Sequence, residues 1–316
     1  MAQADVAGVS ASSGIQAGSI WFDGRMVAQK DATVSVLTHA LHYGTSVFEG
    51  IRAYETAQGP AIFRLPDHVR RLFESALILR MPMPFTPEQV SAAIIETVRV
   101  NEYRSCYIRP LAWRGGQTLG VNPFKCPVSV MVAAWEWGAY LGEEAVTRGA
   151  RVMTSAWARL PAQAMPGKAK AGGNYVNSAL ASMDAVSNGF DEALLLDTNG
   201  YVAEGSGENL FFVRDGVLHV IAHSVNLVGI TRDSVIKIAR ALGLEIDVCM
   251  ATRDELYTAD EVFMTGTAAE VTPIAEIDHR PVGRGVAGPL ALKIRERYLA
   301  AARGELPEFE DWLTYV

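Results

Sequence analysis

Strand-like and helical segments alternate along most of this 316-residue chain, and that alternation restricts the fold more than any single motif does. The segment "SIWFDGRMV" predicts a hairpin. Residues 65–81 have helical spacing, and so do residues 86–101, where Thr86 and Pro87 provide the N-cap and the first turn. Together with the strands "SCYIRPLAWRGG" and "PVSVMVAAW", these segments predict a smaller α/β domain over residues 19–134.

The second half repeats the alternation. Strand-like runs occur in "ARVMTSAWAR", "EALLLDTNG", "ENLFFVRDGVLHVI", "EIDVCMA" and "EVFMTGT". Helical runs follow Gly173 and occupy "TRDSVIKIARALG" and "TRDELYTAD". We therefore predict a fold of the α/β (α+β) class, with a larger second domain over residues 147–316. Residues 135–146, rich in glycine and aromatics, are expected to form the interdomain loop, and residues 1–18 a poorly ordered tail.

Charge and hydropathy exclude several classes of protein. The formal net charge is −7 and no Lys/Arg-rich run occurs, so we expect no nucleic-acid partner. No apolar stretch is long enough for a membrane span, and the N-terminus lacks the pattern of a signal peptide. The three cysteines are scattered, which indicates neither a disulfide framework nor a zinc site and favours a reducing cytoplasm.

Histidine spacing also predicts no metal site. His39 and His42 form one spaced pair, and His219 and His223 form another. Neither pair is accompanied in sequence by the carboxylate or third ligand that zinc needs. We expect packed or surface histidines.

Four glycine-containing segments lie at junctions in the second half: "AGGNY", "AEGSGENLF", "LVGITRD" and "MTGTAAE". None is a dinucleotide or P-loop motif, and "EGSGE" has the wrong spacing for a nucleophile elbow. Thr231 precedes a helical run, where a hydroxyl and free N–H groups could bind a phosphate. The alternative, that Thr231 simply caps its helix, is favoured by the pattern alone.

The segment "PGKAKAGGNY" contains the candidate nucleophiles Lys168 and Lys170. A desolvated lysine can form a Schiff base with an aldehyde cofactor, although a solvated loop charge is the simpler interpretation. Pyridoxal phosphate would need an anion site, a carboxylate for its ring nitrogen and a hydroxyl near its ring oxygen. The candidates for these three groups are Thr231 and Thr267, Glu204, and Tyr175.

These segments, in order, resemble the fold-type IV pyridoxal-phosphate enzymes: "KAGGNY", "EGSGENLF", "GITRD" and "EVFMTGTAAEVTPI". In the first half, "FDGRMV", "HALHYGTSVFEGIRAY", "YIRPL", "GVNP" and "WGAYLG" are similar to the branched-chain amino-acid aminotransferases of that class. The resemblance extends from about residue 20 to residue 290. It implies two α/β domains joined by a short loop, with pyridoxal 5'-phosphate between them.

The resemblance also implies roles for individual residues. Lys170 would be the Schiff-base lysine and the general base and acid, whereas Lys168 would be a loop charge. The glycines after Lys170 would allow close approach to the flat cofactor. The cofactor-binding residues would be Arg71, Lys170, Tyr175, Glu204, Ile230, Thr231 and Thr267.

Substrate contacts are implied in the same way. Tyr107 and Arg109 would accept the distal carboxylate of glutamate, and Thr267 and Ala268 the α-carboxylate. Tyr43 would reach the site from a partner subunit. The apolar pocket would contain Phe48, Val121, Trp137, Tyr140 and Tyr175.

The activity implied is reversible transamination between branched-chain L-amino acids and 2-oxoglutarate, by a homodimer at least, with a hexamer left open. The nearest alternatives are other fold-type IV enzymes: a D-amino-acid or (R)-amine aminotransferase, or aminodeoxychorismate lyase. A non-catalytic metabolite-binding protein would be expected to lack the lysine or the glutamate, and both are present.

Overall fold

The computed structural model describes residues 15–138, 142–222 and 225–316. Most of the predicted tail lies outside the described residues, as does Tyr140 in the predicted interdomain loop. His223 also lies outside them.

The first half of the chain forms seven of the described strands and three α-helices. The strands are β1 (Ser19–Phe22), β2 (Arg25–Ala28), β3 (Ser46–Phe48), β4 (Ile51–Thr56), β5 (Gly59–Phe63), β6 (Cys106–Arg114) and β7 (Val128–Trp135). The helices are α1 (His39–Tyr43), α2 (Leu65–Ile78) and α3 (Pro87–Val100). The predicted hairpin is confirmed, because β1 and β2 pair antiparallel.

The predicted start of α3 is also confirmed in atomic detail. The N–H of Gln89 donates to Oγ1 of Thr86 at 3.3 Å, and the N–H of Thr86 donates to Oε1 of Gln89 at 2.8 Å. This capping box pairs two backbone donors that a helix start otherwise leaves unsatisfied.

The second half contributes the remaining elements. Its strands are β8 (Ala150–Thr154), β9 (Glu192–Leu196), β10 (Val202–Gly205), β11 (Asn209–Arg214), β12 (Val217–Ile221), β13 (Ile246–Cys249), β14 (Glu261–Gly266), β15 (Glu270–Ile277), β16 (Arg280–Pro281) and β17 (Leu313–Tyr315). Its helices are α4 (Glu143–Arg148), α5 (Tyr175–Ser187), α6 (Ile230–Ala241), α7 (Arg253–Tyr257) and α8 (Pro289–Ala302).

Two sheets organise these elements, which confirms the predicted α/β class. The first has the order β17-β5-β4-β6-β7-β1-β2, with β3 paired to β6. The second has the order β10-β9-β8-β15-β14-β11-β12-β13, with β16 paired to β15. The second sheet is mixed, since β8 pairs in parallel with β9 and β15, and β12 with β13.

Each sheet is covered by helices that bury an apolar face. Val69 of α2 and Ile94 of α3 pack with Ile108 of β6 in the core of the first sheet. Val235 of α6 and Ile294 of α8 belong to a separate core on the second sheet. Burying a side chain of this size contributes about 1.5–3 kcal/mol.

The C-terminal strand was not predicted. β17 pairs antiparallel with β5, so the end of the chain returns from the second half to the first sheet. Within the described ranges, no helix combines the length and the apolar character needed to cross a membrane.

Candidate active site

Lys170 lies where the first half of the chain meets the second. Its N–H donates to Oγ of Ser75 at 3.0 Å, and its carbonyl accepts the N–H of Phe48 at 3.0 Å. Its Nζ donates to the phenol oxygen of Tyr175 at 2.7 Å. The main chain of Lys170 is therefore held by α2 and β3, while its amine is presented at Tyr175.

Lys168 has a different environment. Its Nζ donates to the carbonyl of Asn226 at 2.9 Å, which links two loops of the second half. The prediction that Lys168 is a solvated loop charge is therefore wrong. The structure separates the two lysines, since Lys170 lines the central cleft described below and Lys168 bonds to main chain.

The glycines after Lys170 allow a close approach of protein rather than of cofactor alone. A Cβ at Gly172 would lie 2.3 Å from Oγ of Ser46, and one at Gly173 would lie 3.4 Å from the carbonyl oxygen of Gly44. The interpretation that these glycines serve only the cofactor is thus corrected. They let the segment before β3 pack against the start of α5.

Glu204 on β10 is a buried carboxylate with several partners. Its Oε1 lies 2.8 Å from Nε of Arg159, in an ion pair that is not aligned as a hydrogen bond. Its Oε2 accepts the N–H of Leu227 at 3.2 Å and Nδ2 of Asn209 at 3.3 Å. Burial raises the pKa of Glu204, although Arg159 and the Leu227 N–H oppose that shift. A further N–H or cationic donor in the cleft would stabilise its charged form.

The N-terminus of α6 opens onto the same cleft. The helix begins at Ile230 after Gly229, and no side chain caps it. The alternative that Thr231 is the N-cap is therefore wrong, because Thr231 lies within the first turn and is buried. Uncapped N–H groups and the helix dipole together favour an anion at this end. A Cβ at Gly229 would lie 2.0 Å from Oδ1 of Asn209, so this position requires glycine.

Arg71 on α2 reaches the loop before α6. Its Nη1 donates to the carbonyl of Val228 at 2.9 Å, and its Nε and Nη2 donate to the carboxylate of Glu49 at 2.6 and 2.8 Å. Nδ1 of His68 lies 2.8 Å from the same carboxylate. Burial alone would favour the neutral acid, but Arg71 and His68 hold the pKa of Glu49 well below its ordinary value. Arg70 is exposed, as expected.

Aromatic rings form one wall of the cleft. The rings of Phe48 and Tyr175 lie 4.8 Å apart, and those of Tyr107 and Trp137 lie 4.7 Å apart. Arg109 donates to the phenol oxygen of Tyr107 at 3.1 Å, and its Cζ lies 4.7 Å from the Phe48 ring centroid. This wall combines apolar surface with one guanidinium, so it can contact both an alkyl chain and a carboxylate.

Most of the predicted site residues meet in this cleft, which contains about 750 Å³ of empty space. Those that line it are Phe48, Arg71, Tyr107, Arg109, Trp137, Lys170, Tyr175, Glu204, Ile230, Thr231, Thr267 and Ala268. They come from both halves of the chain, so the cleft lies between the two sheets.

Two predicted residues that the structure describes lie elsewhere. Tyr43 donates its hydroxyl to the carbonyl of Leu119 at 2.7 Å, and its side chain is partly exposed. Val121 is 79% exposed. Neither lines the cleft of its own chain, and Tyr140 lies outside the described residues.

Comparison with known proteins accounts for this arrangement. Residues 46–277 match the family model described as amino-transferase class IV. The chain belongs to the class IV aminotransferases. It is 46% identical over 299 residues to the branched-chain-amino-acid aminotransferases of Pseudomonas aeruginosa (95% of this chain, 97% of that protein) and Escherichia coli K12 (94% and 97%).

Solved structures of class IV aminotransferases agree. The T.th. branched-chain amino acid aminotransferase with pyridoxamine 5'-phosphate superposes with a TM-score of 0.93 at 70% identity, covering 95% of this chain and 99% of that one. The Escherichia coli branched-chain amino acid aminotransferase superposes with a TM-score of 0.92 at 46% identity, covering 94% and 98%. These findings confirm the family, the fold and the cofactor predicted from the resemblance.

The residues of this aminotransferase fit pyridoxal 5'-phosphate on chemical grounds. The cleft offers an amine at Lys170, a buried carboxylate at Glu204 and an uncapped helix start at Ile230. In addition, Oγ1 of Thr265 is buried without a hydrogen-bond partner and lines the same cleft. An unpaired buried hydroxyl is costly unless a ligand completes it, so the cleft is built for a polar, anionic group.

Sequence reasoning missed several residues of this aminotransferase site. Glu49, Asn209 and Thr265 lie inside or beside quoted motifs, so each motif already marked their neighbourhood. Arg52 donates to the carbonyls of Thr267, Ala268 and Gly138, each at 3.0 Å, and ties two cleft loops together. Arg159 had one weak signal, an arginine in an otherwise apolar run.

The expectation that no carboxylate or third ligand accompanies His219 is also wrong. β12 and β13 pair in parallel, which places Asp247 and Cys249 beside His219. The two partners are separated from His219 by 28 or more positions in sequence, so local spacing could not reveal the cluster.

Proposed function

We propose that this class IV aminotransferase interconverts branched-chain L-amino acids and their 2-oxo acids, with 2-oxoglutarate and L-glutamate as the other pair. The observation that carries the proposal is a single cleft containing the Lys170 amine, the buried Glu204 carboxylate and an aromatic wall with Arg109. Amine, carboxylate and guanidinium supply the three kinds of group that transamination of a dicarboxylic and an apolar amino acid needs.

Pyridoxal 5'-phosphate would be held at three points. Lys170 would bind its aldehyde carbon, Glu204 its ring nitrogen and Tyr175 its ring oxygen. Arg71, Thr231, Thr267 and the N–H of Ile230 would hold its phosphate, in keeping with the positive end of α6. When bound, the cofactor supplies a carbonyl group that takes up the amino group and a ring that accepts electrons.

Lys170 would then act as the base and acid of the reaction. Its amine would remove the proton from Cα of the substrate and later return a proton. The 2.7 Å hydrogen bond to Tyr175 orients that amine toward the cleft. Glu204 would hold the proton of the ring nitrogen, since its two carboxylate oxygens are fixed by Arg159, Asn209 and the Leu227 N–H.

Two kinds of side chain share one substrate pocket in this proposal. Phe48, Tyr107 and Trp137 provide apolar area for a branched alkyl chain. Arg109 would pair with the distal carboxylate of glutamate. The α-carboxylate would meet the loop at Thr267 and Ala268, whose carbonyls Arg52 holds away from the pocket.

We further propose that the active unit is at least a homodimer, with a hexamer as the open alternative. Tyr43 and Val121 are exposed and lie outside their own cleft, so their predicted pocket roles require a second subunit. We also propose a cytoplasmic location, because all three cysteines are free thiols.

Steady-state kinetics test the proposal. We expect turnover of L-leucine, L-isoleucine and L-valine with 2-oxoglutarate, and little turnover of D-alanine or an (R)-amine. Faster turnover of D-alanine or the (R)-amine would contradict the substrate assignment. Absence of a cofactor absorption band after addition of pyridoxal 5'-phosphate would contradict the enzyme class itself.

A further inference from the structure

A second cluster of reactive side chains lies at the edge of the second sheet. In the parallel pairing of β12 with β13, His219 is opposite Asp247 and Ile221 is opposite Cys249. Side chains two residues apart on a strand point to the same face, so Asp247 and Cys249 lie on one side. β13 is the terminal strand of this sheet in the described structure, which leaves that side open to solvent.

The spacing of the three ligand atoms resembles the edges of a zinc tetrahedron. Nδ1 of His219 lies 3.2 Å from Oδ2 of Asp247 and 3.7 Å from Sγ of Cys249, and all three atoms lie within 4.8 Å of one another. Zinc bonds of about 2.0–2.1 Å to nitrogen or oxygen and about 2.3 Å to sulfur imply edges of about 3.3 Å for N···O and about 3.6 Å for N···S. Both edges at His219 are therefore close to those of a bound ion.

The surroundings orient these ligands and leave a path to them. The ring of Phe212 stacks on His219 at 4.5 Å and 10°, which restrains the imidazole. The hollow they line also contains Arg214 and Glu255. The side chain of Asp247 is 55% exposed, so an ion can enter from solvent.

The two nearby charged groups outside the cluster are already engaged. Arg214 donates to the carbonyl of Thr258 at 2.9 Å, and Glu255 accepts the N–H of Thr252 at 2.7 Å. Burial raises the pKa of the Cys249 thiol, and the charges of Asp247 and Glu255 raise it further. An incoming cation would reverse that effect, because it stabilises the thiolate.

We propose that His219, Asp247 and Cys249 form a binding site for a divalent cation of the zinc class. The thiolate and imidazole favour zinc over magnesium or calcium, which prefer oxygen ligands. Binding forms the metal–sulfur bond and releases the thiol proton to solvent, with water in the fourth position. Thiolate and carboxylate balance the two charges of the ion. None of the three residues lines the active-site cleft of the described structure, so the site is separate from transamination.

Calorimetric titration of the holoenzyme with zinc chloride, in two buffers of different ionisation enthalpy, tests the site. We expect one zinc per chain at this site and release of about one proton. Cys249→Ala, Cys249→Ser and His219→Ala should each weaken binding at least about tenfold, since even outer-sphere changes cost that much. Retention of full zinc affinity and proton release in the cysteine variants would overturn the proposal, as would equal binding of magnesium.

His279→Ala is the matched control. His279 is also exposed beside a carboxylate, with Nδ1 at 3.5 Å from Oε1 of Glu276, and it belongs to no such cluster among the described residues. We expect this variant to bind zinc as the parent does. If His279→Ala and His219→Ala lost affinity equally, the binding would be unspecific surface binding and the site would be refuted.

Thiol protection gives a second measurement that does not depend on the variants folding. Zinc should slow alkylation of Cys249 by iodoacetamide, as measured by peptide mass spectrometry, at least about tenfold. Cys106 and Cys126 are buried and act as internal references. An unchanged alkylation rate at Cys249 in saturating zinc would contradict thiolate ligation.

Discussion

The Nζ of Lys170 donates a 2.7 Å hydrogen bond to the hydroxyl of Tyr175, five residues later and at the first position of α5. The intervening Gly172–Asn174 turn brings the two side chains to the same side of the cleft. The only other lysine of this segment, Lys168, bonds to the Asn226 carbonyl instead. One local turn thus selects which of two neighbouring amines faces the cleft.

This geometry predicts unequal effects of the two lysines. Lys170→Ala should lower kcat at least about 10³-fold, because a nucleophile and proton carrier is lost together. It should also remove the visible absorption band of the bound cofactor. Lys168→Ala should keep the band and most of the activity, since its amine bonds to a main-chain carbonyl outside the cleft. The reverse result would refute the assignment.

Arg109 is expected to control the acceptance of dicarboxylic substrates. Arg109→Leu should lower kcat/KM for L-glutamate roughly 10–100-fold, the value of one charged hydrogen bond. The value for L-leucine should change much less, because an alkyl chain needs only the apolar wall. Equal losses for both substrates would indicate that Arg109 merely supports Phe48 and Tyr107.

Arg159 is predicted to be a positioning residue that keeps Glu204 ionised. In Arg159→Met, burial would raise the pKa of Glu204 further, because the opposing guanidinium is gone. We expect kcat to fall at least about tenfold, and the pH profile of kcat to move to higher pH. Arg159→Lys should recover part of the activity. A profile that stays in place while protein stability falls would show a purely structural role.

Glu208 should make the protein less stable as the pH rises. Burial, with the nearby charge of Glu192, raises the pKa of Glu208 above its ordinary value of 4.5. The folded state therefore binds more protons than the unfolded state in the window above pH 4.5, so stability is present below it and is lost as the pH rises through the raised pKa.

Denaturant unfolding at several pH values checks this prediction. In Glu208→Gln, the decline between about pH 5 and pH 8 should be smaller, by up to about 1.4 kcal/mol per pH unit. Glu144→Gln, which removes a carboxyl that is 88% exposed, is the control and should leave the decline unchanged. A parent protein whose stability rises across this range would contradict the shift at Glu208.

Local features of the site and fold were predictable because neighbouring residues determine them. Thr86 and Gln89 form a capping box three residues apart, and Lys170 and Tyr175 lie in one turn. The motifs around Glu204 and Thr267 likewise identify their segments without a structure. The assembly of these motifs in one cleft, in contrast, came from a resemblance and not from the physics of the segments.

The sequence by itself determined the alternating elements, the helix caps and the residues able to act on an amino acid. Only the tertiary structure decided the contacts between distant positions: Arg71 with Glu49, Arg159 with Glu204, His219 with Asp247 and Cys249, and β17 with β5. Capping and hydrophobic periodicity act over three or four residues, so they are readable along the chain. The partner of a buried charge depends on strand order and register, which burial of the whole core selects.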